Sequence, residues 1–136
     1  MASAGITKPG ESPKSYAPFD DPKGCPVIID SGTTGNLLPP SLVDAIVADF
    51  PGAAFQSANS FYLVDCAFAG QDGTLDFGFR NTIIHVLYHE FIWQAGGECY
   101  LPIINDERVS ILGGRYYCSV ILTILECSQM SSKLLS

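Results

Sequence analysis

The sequence has little charge and few basic residues. Only 15% of its 136 residues are charged, and 7 Lys and Arg stand against 14 Asp and Glu. No segment concentrates Lys and Arg, which argues against binding to nucleic-acid phosphates or to an anionic membrane surface. The hydrophobic share of 47% excludes a disordered, highly charged chain. Length and composition therefore predict one folded domain that contacts neither nucleic acid nor membrane.

Long apolar runs and paired cysteine motifs are also missing. The uncharged run Tyr116–Leu125 is about half as long as a membrane-spanning helix, and the first ten residues lack the apolar core of a signal peptide. None of the five cysteines forms a C-x-x-C pair, which argues against a zinc ribbon or a thioredoxin-type site. Because five is odd, at least one thiol is unpaired within the chain.

Proline and turn residues predict three regions. Residues 1–26 contain five prolines at intervals of four or five residues and no periodic apolar face. This composition predicts an extended arm without folded elements. Residues 27–125 are expected to form the structured lobe, and residues 126–136 a tail.

Within the lobe the pattern predicts a mostly β fold with one short helix. Val27–Ile29 is a β-branched run typical of a buried strand, and helical spacing predicts a helix over Pro40–Phe50 with Ser41 as its N-cap. Turn residues separate the later apolar runs, as in all-β domains. The predicted strands are Phe61–Val64, Thr74–Phe79, Thr82–Val86, Glu90–Trp93, Cys99–Ile104 and Val109–Leu112.

The segment Val27-Ile-Ile-Asp-Ser-Gly-Thr-Thr34 places a carboxylate directly after a buried strand. Gly32 allows a tight turn that brings backbone N–H groups towards Asp30. The hydroxyl groups of Ser31 and the two threonines can donate hydrogen bonds to the same carboxylate, and such donors stabilise its ionised form. The residues alone leave two interpretations open: a functional carboxylate, or an Asx-turn or cap residue.

A second segment, Val109-Ser-Ile-Leu-Gly113, repeats the pattern of an apolar strand followed by glycine. With it the chain resembles the C-terminal lobe of the pepsin-like (family A1) aspartic endopeptidases. The motifs that carry the resemblance occur in order: Ile28–Thr33, Leu37–Ile46 with its Leu-Pro helix start, and Ile111–Tyr116. The resemblance covers about Pro26–Leu125.

Two features depart from the family pattern. Gly114 stands where an acidic residue is usual, and the residues after Leu125 do not resemble the final strands of the family. The sheet edge at this end of the chain is therefore expected to be incomplete.

The resemblance implies a single lobe of the bilobal acid-protease fold, with Asp30 as a catalytic carboxylate. Ser31, Gly32, Thr33 and Thr34 would belong to the hydrogen-bond network of the catalytic dyad or would contact substrate. Such enzymes hydrolyse peptide bonds with two carboxylates that share one proton and activate water. The reaction needs neither a metal nor an organic cofactor.

The sequence contains one Asp-[Ser/Thr]-Gly motif, whereas a dyad needs two carboxylates. We expect the second from a missing N-terminal lobe or from a second copy of this chain. The alternative is a catalytically inactive pepsin-fold binding module or a truncated protease fragment. The resemblance further implies a peptide or protein substrate, cleavage best in acid, and a secreted or vacuolar/lysosomal location.

The resemblance also implies a disulfide between Cys66 and Cys99, although the residues alone equally allow two buried thiols. Cys25, Cys118 and Cys127 have no predicted partner. His85 and His89 fall on one face at strand period, but no third ligand is evident. We therefore predict no metal site.

Overall fold

The computed structural model describes Met1 and residues 3–16, 26–30, 35–79, 82–113 and 133–135. The strands are β1 (Ser3–Thr7), β2 (Lys14–Ser15), β3 (Val27–Asp30), β4 (Asn36–Leu38), β5 (Ala54–Gln56), β6 (Phe61–Val64), β7 (Thr74–Phe79), β8 (Thr82–Leu87), β9 (Trp93–Ala95), β10 (Glu98–Leu101), β11 (Ile103–Asn105), β12 (Ile111–Gly113) and β13 (Lys133–Leu135). The helices are α1 (Pro40–Ala48), α2 (Tyr88–Phe91) and a 3₁₀ segment over Cys66–Gly70. The predicted mostly β fold is confirmed, and none of the helices in the described ranges is long and apolar enough to cross a bilayer.

The first sheet has the strand order β2-β1-β7-β8 and is antiparallel throughout. β1 pairs with β7 along its whole length, from Ser3 opposite Gly78 to Thr7 opposite Thr74. This pairing buries Ala4 and Ile6 against the core. The expectation of an unfolded arm over residues 1–26 is therefore wrong for residues 3–16. Two apolar side chains in a five-residue strand are too few to produce a periodic signal, and the strand is held by distant partners.

The second sheet has the strand order β5-β6-β10-β9 and is also antiparallel. A disulfide joins Cys66, at the start of the 3₁₀ segment, to the buried Cys99 of β10, with their Cα atoms 5.2 Å apart. The Asp65 carboxylate accepts a hydrogen bond of 2.9 Å from the Ala67 N–H and so caps the 3₁₀ segment. Cys25, Cys118 and Cys127 lie outside the described residues.

The third sheet contains both sequence motifs and has the strand order β11-β4-β12-β3-β13. Its edge strand β13 pairs antiparallel with β3, from Lys133 opposite Ile29 to Leu135 opposite Val27. Residues 133–135 thus belong to the sheet, although the sequence predicts a tail over 126–136. A three-residue strand is too short to show alternation. The uncharged run Tyr116–Leu125 lies outside the described residues.

Helix α1 begins two residues earlier than the capping prediction requires. Its N-cap is Pro39, which makes no side-chain cap hydrogen bond, and Pro40 occupies the first helical turn. The prediction of Ser41 as N-cap is therefore wrong. Proline suits the first turn because its missing N–H would have no partner in the helix there. The buried residues of the helix, Leu42, Val43 and Ile46, follow the predicted spacing.

Two predicted strands differ from the structure by more than a shift of one or two residues at their ends. Glu90–Trp93 is not a strand, because Tyr88–Phe91 forms a helical turn before β9. Tyr88 and Phe91, three residues apart, both enter the core, as helical spacing requires. The run Cys99–Ile104 is divided into β10 and β11 at Pro102, since proline has no N–H for a strand ladder.

The Asp49 carboxylate attaches the N-terminal hairpin to the end of α1. It accepts hydrogen bonds of 2.9 and 2.8 Å from Lys8 and Lys14 Nζ and of 2.8 Å from the Tyr16 hydroxyl, while its side chain is only 8% exposed. Burial by itself raises the pKa of Asp49, but the hydrogen bonds from Lys14, Lys8 and Tyr16 outweigh it and hold the pKa below the ordinary value. This carboxylate therefore favours the folded state in its ionised form.

We expect Asp49→Asn to destabilise the lobe by about 1–3 kcal/mol at pH 7, because three donors lose a charged acceptor. A folded-state pKa below the unfolded value gives stability above about pH 4 that is lost as the pH falls through the folded pKa. Urea unfolding at pH 7 and in acid measures this, with the exposed Asp44→Asn on the same helix as control. Equal acid sensitivity in Asp49→Asn and the unsubstituted chain would contradict the role of Asp49.

The disulfide closes a loop between residues 33 positions apart in the sequence. We expect its reduction to lower the free energy of unfolding by about 2–4 kcal/mol. Thermal unfolding with and without reductant measures this. The double variant Cys66→Ala/Cys99→Ala is the control, because it lacks this bond and its unfolding midpoint should not fall through its reduction. An unchanged midpoint in the unsubstituted chain would show that the bond does not stabilise the fold.

Candidate functional site

The two sequence motifs meet in the third sheet, where β3 and β12 run parallel. Ile111 lies opposite Ile28, Leu112 opposite Ile29 and Gly113 opposite Asp30. The Ile28 N–H also donates to the Ser110 carbonyl at 3.0 Å. Since parallel strands end at the same edge of a sheet, the backbone of Asp30 and that of Gly113 leave the sheet side by side.

Asp30 is the last residue of β3 and the only residue of the predicted catalytic group whose backbone the structure describes. Ser31, Gly32, Thr33 and Thr34 lie outside the described residues. Their place in a dyad network or against a substrate stays a prediction. The structure thus brings the two motif strands together and places one of the five predicted residues at their shared end.

An aromatic row begins beside Gly35, the first described residue after this segment. A Cβ atom on Gly35 would lie 2.9 Å from Cε1 of Phe61, so the Phe61 ring occupies the space of a side chain. Phe61 packs edge-on against Trp93 at 5.6 Å between ring centroids, and Trp93 contacts Tyr100 at 5.5 Å. Trp93 and Tyr100 are register partners, so this row crosses three strands of the second sheet.

Sequence reasoning missed Asn36, a fully buried polar residue at the start of β4. Its Oδ1 accepts from the Gly113 N–H at 3.0 Å, and its Nδ2 donates to the Pro102 carbonyl at 2.9 Å. Its backbone N–H donates to the same carbonyl at 2.7 Å. The available signal was a lone amide in the apolar run Asn36-Leu-Leu, where a buried polar group requires partners.

Asp106 shapes the loop that leads from β11 into β12. Its Oδ1 accepts from the Arg108 N–H at 2.8 Å and from the Val109 N–H at 3.1 Å. The backbone hydrogen bonds from Arg108 and Val109 hold the pKa of the Asp106 carboxyl below its ordinary value. The loop is also attached to β4, because the Asp106 N–H donates to the Leu38 carbonyl.

The two histidines do not share an element. His85 lies on β8 and its Nδ1 is 2.6 Å from Oδ1 of the buried Asp76, which also accepts from the hydroxyl groups of Thr7 and Thr74. His89 is an exposed residue of α2. Within the part of the chain that the structure describes, no three His, Cys, Asp or Glu side chains are arranged to hold a metal ion.

The chain matches a known protein family and several curated proteins. Residues 16–126 match the family described as "Eukaryotic aspartyl protease". The chain is 31% identical over 116 residues to Aspartic proteinase 3 of Saccharomyces cerevisiae, a match that covers 82% of this chain and 19% of that protein. It is 36% identical over 99 residues to Candidapepsin-3 of Candida albicans, covering 66% of this chain and 24% of that protein.

A third relative is Secreted aspartic protease 7 of Candida albicans, 31% identical over 107 residues, with 74% of this chain and 18% of that protein covered. The chain therefore spans about a fifth to a quarter of the length of these curated relatives.

Proposed function

This chain belongs to the pepsin-like eukaryotic aspartyl protease family, and from that premise we propose that it supplies Asp30 as one carboxylate of an aspartic-peptidase dyad. The reaction is hydrolysis of a peptide bond by an activated water molecule. The single observation that carries the proposal is the register of β3 and β12, which puts Asp30 beside Gly113 at the shared end of two parallel strands.

In this proposal a carboxylate of the dyad takes a proton from water while the water oxygen attacks the peptide carbonyl carbon. The partner carboxyl group gives its proton to the carbonyl oxygen, so that a neutral geminal diol forms. The diol then collapses as its C–N bond breaks, one diol proton returns to a carboxylate, and the amine nitrogen takes a proton from the dyad. The products are a carboxylic acid and an amine, and the dyad again holds one proton.

A dyad needs a second carboxylate, and the sequence contains one Asp-[Ser/Thr]-Gly motif. Two carboxylates a few ångströms apart share a proton because both cannot ionise at once, so a single Asp30 lacks the partner that makes one group the acid and the other the base. We propose an N-terminal lobe, or a second copy of the chain, as its source. Ser31, Gly32, Thr33 and Thr34 would donate hydrogen bonds to the dyad or to the substrate.

The disulfide and the relatives support the proposed surroundings of the enzyme. A bond between Cys66 and Cys99 persists in an oxidising compartment, and one relative is named a secreted protease. We therefore propose a secreted or vacuolar/lysosomal location, a peptide or protein substrate, and activity best in acid. A pepsin-fold module that binds without cleaving is the outcome that the following experiment distinguishes.

We expect the purified chain to cleave a denatured protein at about pH 3–5 when an added N-terminal lobe or another copy of the chain supplies the second carboxylate. Pepstatin should inhibit the cleavage, and Asp30→Asn should slow it by at least about a hundredfold, as expected for loss of an acid–base group. Asp44→Asn, an exposed carboxylate on α1, is the matched control and should cleave normally. If the second carboxylate comes from another copy, the specific activity should rise with chain concentration.

Cleavage that survives Asp30→Asn would contradict the assignment of Asp30. A folded chain that binds peptide but cleaves nothing, alone or with an N-terminal lobe, would overturn the catalytic proposal and favour the binding module.

A further inference from the structure

Resting on the proposed function, we infer that Asn36 is a positioning residue, which fixes the place where Asp30 leaves the sheet by holding Gly113. Asn36 lies on β4, whereas Asp30 lies on β3, and β12 runs between them in the sheet. The inference therefore concerns a contact across β12 rather than a contact with the substrate or with the Asp30 carboxylate.

The backbone ladder between β4 and β12 ends before it reaches Gly113. Ile111 lies opposite Leu37, and this is the one register pair between the two antiparallel strands. Continued by two residues, the ladder would place Gly113 opposite Gly35. In the structure the Gly113 N–H instead donates to Oδ1 of Asn36. The side-chain carbonyl of Asn36 thus takes the place of a backbone carbonyl and extends the pairing by one hydrogen bond.

The amide of Asn36 is itself held in a fixed orientation. Its Nδ2 donates to the Pro102 carbonyl at 2.9 Å, and Asn36 has no exposed surface. Pro102 separates β10 from β11, so one side chain connects β4, β12 and the junction between the second and third sheets. A buried amide with both of its polar atoms bonded has one favourable orientation, because turning it by 180° would face oxygen with oxygen.

The hydrogen bond matters for the site because of what Gly113 faces on its other side. Gly113 is the register partner of Asp30, and the β3–β12 pair is three residues long from Ile111 to Gly113. Without Asn36 the last residue of this short pair would carry a buried N–H group with no acceptor, and the end of β12 would be held from one side only. Asp30 would then lie beside a displaced neighbour, and displacement of about 1 Å is enough to impair catalysis.

Two substitutions at this position separate positioning from simple packing. Asn36→Leu has a similar shape and removes the acceptor of the Gly113 N–H, while the backbone N–H of residue 36 still donates to Pro102. Asn36→Asp is the rescue variant. When protonated, its hydroxyl donates to the Pro102 carbonyl and its other oxygen accepts from Gly113, as the native amide does. When ionised, it still accepts from the Gly113 N–H, but it has no donor for Pro102 and places a charge in a buried site.

We expect Asn36→Leu to speed amide hydrogen exchange at Gly113 at least about tenfold and to shift the titration midpoint of the Asp30 carboxyl carbon by at least about 0.3 pH units, both followed by NMR. Asn36→Asp keeps an acceptor for the Gly113 N–H and, in acid, a donor for Pro102, so there it should retain the native protection of the Gly113 amide. The matched controls are Asn105→Leu and Asn105→Asp, at an exposed asparagine on the neighbouring strand β11, and neither should change the two readouts.

Unchanged Gly113 exchange and Asp30 titration in a folded Asn36→Leu chain would overturn the inference. If Asn36→Leu does not fold, the smaller Asn36→Ala takes its place: native Gly113 protection in Asn36→Asp in acid together with faster exchange in Asn36→Ala supports the inference, and equal Gly113 exchange in these two variants contradicts it. Both readouts are independent of proteolysis. A native chain that cleaves nothing would therefore count against the proposed function, whereas these NMR results would still decide the role of Asn36.

Discussion

The parallel pairing of β3 with β12 is the constraint on which the rest of the site depends. These strands lie 80 or more residues apart in sequence, yet their pairing brings an Asp and a Gly to one edge of the sheet. The pair is only three residues long and cannot hold its register alone. It is supported on one side by β13 and on the other by β4, whose partner β11 is fixed through the Asp106 loop.

The surrounding elements keep this small sheet in place. Helix α1 follows β4 immediately and buries three aliphatic residues in the core that all three sheets share. The disulfide fixes the second sheet, and the aromatic row that starts at Phe61 packs that sheet against Gly35, next to the candidate catalytic segment. At the C-terminal end of α1, the Asp49 carboxylate binds two ammonium groups and one hydroxyl of the N-terminal segment. Hydrophobic burial and a few charged contacts thus together stabilise the short strands.

Local patterns in the sequence predicted those elements whose own residues show a strand or helix pattern. Phe61–Val64 and Thr74–Phe79 are strands with the predicted bounds, and the helix after Pro39 is visible in the spacing of Leu42 and Ile46. β1 and β13 were missed because each is a short strand defined by a distant partner. The helical turn Tyr88–Phe91 was missed, and Glu90–Trp93 was predicted as a strand, because a single helical turn is too short to show its period.

The sequence predicted the chemistry of the candidate site but not the hydrogen bonds that support it. The Asp-Ser-Gly-Thr motif and the later Ile-Leu-Gly motif each combine an apolar strand with a glycine and carry the family resemblance, and the structure pairs their strands. Asn36 escaped notice, since its role depends on the Gly113 N–H and the Pro102 carbonyl, 77 and 66 positions away in sequence. A single asparagine in an apolar run indicates that a buried amide needs hydrogen-bond partners, but it does not identify them.

The central claim is that Asp30 works as half of a dyad. Its most direct test is to follow the Asp30 carboxyl carbon by NMR across the acid range, for the chain alone and with an added N-terminal aspartic-protease lobe. The account predicts that the pair titrates in two separated macroscopic steps when a second carboxylate shares its proton. A single step for Asp30 under every condition, at any chain concentration, would contradict it.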